Sequence, residues 1–183
     1  MKGPLRATAL FGVALLFALS GRFSFDLAVD WGSAFSFGWN SNLGVDNYLF
    51  PVPFALLSTV LFLHSWKVVI SLPLNALTWY VALRIACAVD AKTEPYMFMV
   101  SLCLAGLIGA LGVALSDAIC APKLFQVWPL FVVALIGAAS ALLGLRWFIV
   151  GITTSWQTAV GTYLYFVYIR TKDSNSSNLK EGN

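Results

Sequence analysis

Few side chains in this chain have both the type and the setting to do chemistry, and they fall into three groups. Arg84 is a permanent cation near the end of a long apolar run, where a guanidinium can hold a carboxylate or a phosphate through paired N–H donors. Asp26, Asp30 and Asp46, with Trp31 and Trp39 among them, lie in the stretch Arg22–Tyr48, the longest segment that departs from a plain apolar pattern. Those carboxylates could serve as a general base or as partners for Arg84. The third group is a helical face. Thr154, Thr158, Gly161, Tyr165 and Tyr168 recur at four-three-four-three spacing, so they share one side of a helix, and Gln157 lies in the same run. With Asn75 of an earlier apolar run, Thr154, Thr158, Gln157 and Arg84 are the candidates for lining a solute path or pocket.

Each group also has a bland explanation. Arginines near the ends of membrane helices extend to the interface and keep their charge in water. Tryptophan and tyrosine collect at the membrane surface whatever the protein does. Threonine and glutamine on a membrane helix often bond to a neighbouring helix.

Other chemistries lack their residues. The chain has one histidine, His64, so a bis-histidine haem has no ligand set and a histidine-rich metal site has none either. No serine stands in a nucleophile-elbow motif, and neither a Walker glycine loop nor a dinucleotide glycine pattern occurs. No cofactor or metal is expected, and the balance leans away from an enzyme. Cys87, Cys103 and Cys120 are far apart and read as small apolar packing residues. The net charge of +3 is spread along the chain with no basic cluster, which argues against a nucleic-acid partner.

The elements that must position these groups follow from composition. Of 183 residues, 60% are hydrophobic and 10% charged, against about 25% charged in an ordinary soluble domain. So few charges cannot cover a globule with polar surface, and lipid is the expected solvent. A span needs roughly 20 apolar residues. The sequence predicts an all-α, polytopic transmembrane bundle of six spans forming a single domain over residues 1–169. The spans begin with Met1–Ser20 and continue with Leu49–Trp66, Val68–Val89, Tyr96–Ser116, Leu124–Leu145 and Trp147–Ile169. The turn after the fourth span is expected at Asp117–Lys123, which leaves no carboxylate inside a span. Residues 170–183 are expected to be a disordered tail.

Two features carry alternatives. Met1–Ser20 has a basic start, a short apolar core and small residues at Ala18 and Ser20, which also fits a cleaved signal peptide and would leave five spans. Between Phe23 and Trp31 apolar residues alternate with polar ones, which predicts a strand and a short surface hairpin within an aromatic outer loop over residues 22–48; a re-entrant segment or a plain loop are the alternatives. The small-residue pairs Ala105/Gly109 and Gly106/Ala110 in span four, and Gly137/Ala141 and Ser140/Gly144 in span five, are spaced to let another helix backbone approach.

With six spans and an inner N-terminus, Lys2, Arg6, Lys67, Lys123, Arg170, Lys172 and Lys180 lie inside while Arg22, Lys92 and Arg146 lie outside. That distribution obeys the positive-inside tendency. The expected location is a cell membrane with both termini cytoplasmic and the bilayer as the main partner. Three functions stay open: a small-solute transport or channel-like module, a non-catalytic subunit that packs on other membrane subunits or on itself through spans four and five, and a membrane enzyme acting at the outer face on a lipid-linked substrate.

Overall fold

A computed structural model describes residues 3–35, 52–62, 66–90, 97–120, 127–144 and 148–181. They form six helices: α1 (Gly3–Phe35), α2 (Val52–Phe62), α3 (Val68–Asp90), α4 (Met97–Cys120), α5 (Val127–Gly144) and α6 (Phe148–Glu181). No strand occurs among the described residues. Helices are the expected answer in lipid, because every backbone N–H and C=O must be paired within the segment.

Consecutive helices pack on one another, and α6 returns to pack along α1 while also touching α2, α4 and α5. The pairs α3/α4, α4/α5, α5/α6 and α1/α6 are antiparallel. In α3 and α4, Thr78 lies against Gly112 and Ala82 against Gly109. In α1 and α6, Phe17 meets Gly161, while Ser20 bonds to Gln157. The start of α1 and the later part of α6 therefore lie at the same end of the bundle. The start of α3 joins them there, as does the end of α4, where Ala118 packs with Val167.

The surface is inverted relative to a water-soluble protein. Phe11, Val69, Trp128 and Leu143 are each more than 70% exposed, whereas Asp117, Asn75 and Gln157 are at most 1% exposed. A monomer in water rarely shows so much contiguous apolar surface; in hydrocarbon it carries no penalty. Three helices are long and apolar enough to cross a membrane: Arg6–Ser24 in α1, Phe98–Ile119 in α4 and Val127–Gly144 in α5. A shorter apolar run, Val69–Ala82, lies in α3. The described residues are thus all helical and suited to a lipid environment, with three candidate spans among their six helices.

The core is built around Trp156 of α6. Its ring centroid lies 5.5 Å from that of Phe54 in α2 and 5.5 Å from that of Trp79 in α3. Its indole N–H donates to the Gly106 carbonyl of α4 at 3.0 Å. Phe17 of α1 continues the stack, 5.1 Å from Phe54.

Two boundaries differ from the sequence expectation. The hairpin predicted from Phe23 does not form; α1 continues through Trp31 to Phe35. Ser20 and Ser24 are one helical turn apart, so they share a face, and both are buried against α6. Phe23, expected on the apolar face of a surface strand, is 59% exposed on the helix. In lipid the apolar side chain faces out and the serine faces in, so an alternation that reads as a strand in water is compatible with a helix here. At the other end, α6 runs on from Ile169 as helix to Glu181, through most of the expected tail.

Candidate functional site

Asp117 carries the most unusual environment in the molecule. The expected turn at this position does not occur, because α4 continues to Cys120 and keeps Asp117 inside the helix. The missed signal is local: Ala118-Ile119-Cys120-Ala121 is apolar, and the first proline able to stop the helix is Pro122. Asp117 is 0% exposed. At about 1.5 Å per residue, it lies about one turn from the end of α4.

Two residues of α3 meet it. Ser71 donates its hydroxyl to Asp117 Oδ1 at 3.2 Å. Asn75, one turn further along the same face, donates its amide N–H to Ser71 Oγ at 3.4 Å. Asp117 Oδ2 and Asn75 Oδ1 are buried and have no hydrogen-bond partner. Most other buried serines bond to carbonyls of their own helix: Ser58 to Ala55, Ser101 to Phe98, Ser116 to Gly112 and Ser140 to Gly137. That is the ordinary way a serine is satisfied inside a helix; Ser71 instead bonds across helices to a carboxylate.

A second polar seam joins α1 to α6. Ser20 donates to Gln157 Oε1 at 2.9 Å, and Gln157 Nε2 donates to Ser24 at 2.9 Å. Both ends of the Gln157 amide are therefore occupied by α1. The two backbones come very close: a Cβ on Gly21 would lie 2.6 Å from Thr154 Cα. In this conformation Gln157 joins two helices and is 1% exposed.

The remaining candidates are dispersed. Thr154 and Thr158 line an open groove of about 550 Å³ between α5 and α6, together with Ser140, Leu143, Gly151 and Ser155. Thr158 donates to the Thr154 carbonyl, and Thr154 Oγ1 is buried without a partner. Arg84 is half-buried on α3, with its guanidinium carbon 5.9 Å from the centroid of Tyr80, one turn back along the helix. That placement follows the tendency of helical side chains to lean toward the N-terminus. Asp26, Asp30 and Trp31 fall on α1, but their side chains lie outside those described. Trp39, Asp46 and His64 lie outside the described residues altogether. Of the solute-path candidates, the structure brings Asn75 into the Asp117 cluster, Gln157 into the α1–α6 seam, and Thr154 with Thr158 into the groove.

The small-residue faces of α4 and α5 meet each other. A Cβ on Gly137 would collide with the Gly106 carbonyl and with Ala110, and one on Gly106 would collide with Gly137 in return. The same glycines thus serve the packing of this chain on itself.

The chain matches no protein family, no curated protein and no solved structure.

Proposed function

We propose that this chain is a small-solute transport or channel-like membrane module, with six spans and both termini on the cytoplasmic side. The observation that carries the reading is Asp117, a fully buried carboxyl on a helix apolar enough to span a membrane. An ionisable group in such a place is costly to keep and typically marks a solute or ion path. The antiparallel packing of α3 on α4, α4 on α5, α5 on α6 and α6 on α1 supports the six-span arrangement, and the distribution of lysine and arginine supports the orientation. On this reading the path follows the α3–α4 seam, while Gln157 holds α1 on α6.

The test is flux in proteoliposomes. Vesicles containing the purified chain are subjected to osmotic steps of sodium chloride, potassium chloride or glycerol, and volume recovery is followed by light scattering. Recovery faster than that of empty vesicles for at least one osmolyte, and lost in Asp117→Asn, is the expected result. Rates equal to those of empty vesicles for all three overturn the reading.

A second reading has its own observation. The groove between α5 and α6 is lined by Gly151 and Ser155, one turn apart. Small residues at that spacing admit a further helix, as a non-catalytic subunit of a larger membrane complex would require. A stable, active monomer in detergent argues against it.

A further inference from the structure

We propose that Asp117, Asn75 and Ser71 form a binding site for a monovalent alkali cation of sodium size. This deepens the transport reading by naming an ion. It rests on that reading for its role in the membrane, though not for binding itself.

The donor set is entirely oxygen: a carboxylate from α4, and an amide carbonyl and a hydroxyl from α3. Oxygen donors of this kind suit hard cations. Two of the oxygens, Asp117 Oδ2 and Asn75 Oδ1, are buried and unpartnered. Both are acceptors, so what completes them is a positive centre or a donor. Two buried acceptors left unsatisfied on side chains linked through Ser71 form an arrangement that a bound cation relieves. The third oxygen, Ser71 Oγ, is held between Asn75 and Asp117.

Charge selects the valence. Burying a net charge in a membrane is expensive unless it is balanced. One carboxylate balances one positive charge. Among the described residues no group of three His, Cys, Asp or Glu side chains comes together that could hold a metal ion. A divalent ion would thus keep an uncompensated charge at this site, and a sodium-sized ion would not.

The test uses the full chain in detergent. Its thermal unfolding midpoint is measured while sodium chloride replaces choline chloride at constant ionic strength. Binding to the folded state raises the midpoint in proportion to RT ln(1 + [Na⁺]/Kd). At ten times Kd the expected rise is about 3–5 °C for a chain of this size, absent in choline and rising with the logarithm of sodium beyond that. In Asp117→Asn, the new amide can donate to Asn75 Oδ1, so the variant is expected to fold and to lose the sodium dependence. If Asp117→Asn fails to fold, Asn75→Ala provides the second reading, with a half-saturating sodium concentration raised at least tenfold. A midpoint identical in sodium and choline overturns the proposal; it is the outcome expected if Asp117 simply holds a proton. A sodium response unchanged in both variants overturns it as well, because the ion would then bind elsewhere. Sodium binding without flux would leave this site standing and remove the transport reading; flux without sodium binding would do the reverse.

Discussion

At the scale of single residues, Gln157 shows how a polar side chain is kept inside an apolar bundle. Its carbonyl accepts from Ser20 and its amide donates to Ser24, so the group is complete without water. Hydrogen bonds between membrane helices are each worth about 0.6 kcal/mol on average, but leaving a buried partner unsatisfied costs more. Gln157→Leu, which keeps the volume and strands both serine hydroxyls, is expected to lower stability by about 1–2 kcal/mol. Adding Ser20→Ala and Ser24→Ala to it is expected to restore most of the loss, because no orphaned group then remains. Thermal unfolding of the single and triple variants checks this; a triple variant weaker than the single one would show that the seam depends on its polar bonds themselves. Asp117 is the opposite case, a buried group whose own pairing is incomplete.

At the scale of the elements, glycine decides which helices touch. Gly106 and Gly137 face each other so closely that neither has room for a Cβ. Gly137→Val is expected to push α4 from α5 and to cost about 1–3 kcal/mol or more, the usual range for overpacking. Gly12 supplies the control, since a Cβ there would meet nothing within 4 Å. Gly12→Ala is expected to be neutral, or to stabilise α1 by up to about 1 kcal/mol through helix propensity. Unfolding midpoints of the two variants measured side by side separate a loss of close approach from a change in propensity. Equal effects would mean that the α4–α5 contact does not limit stability.

At the scale of the whole molecule, lipid as solvent organises everything else. Polar groups turn inward, large apolar ones turn outward, and Trp156 ties α2, α3, α4 and α6 into one core. The proposed orientation is open to direct labelling. In a background with Cys87, Cys103 and Cys120 changed to alanine, Lys92→Cys is expected to react with an impermeant maleimide added outside intact cells. Lys123→Cys is expected to react only after the membrane is opened. The reverse pattern would place the Asp117 end of the bundle on the outer face.

The apolar character, the helical class and the small-residue faces were legible from the amino acids alone, because composition and apolar run length are properties of a chain before it folds. Asn75 and Gln157 were visible as polar residues in apolar runs, but their partners were not. That Asp117 belongs inside α4 and beside Ser71 depended on folding, since that contact joins residues 46 positions apart. The helical course of the stretch after Phe23 was likewise set by its neighbour, with Ser20 and Ser24 buried against α6. Periodicity in a short window reports which residues differ in polarity. Which of them face the protein and which face lipid depends on the neighbour, and for Ser20 and Ser24 that neighbour is Gln157, 137 and 133 residues away.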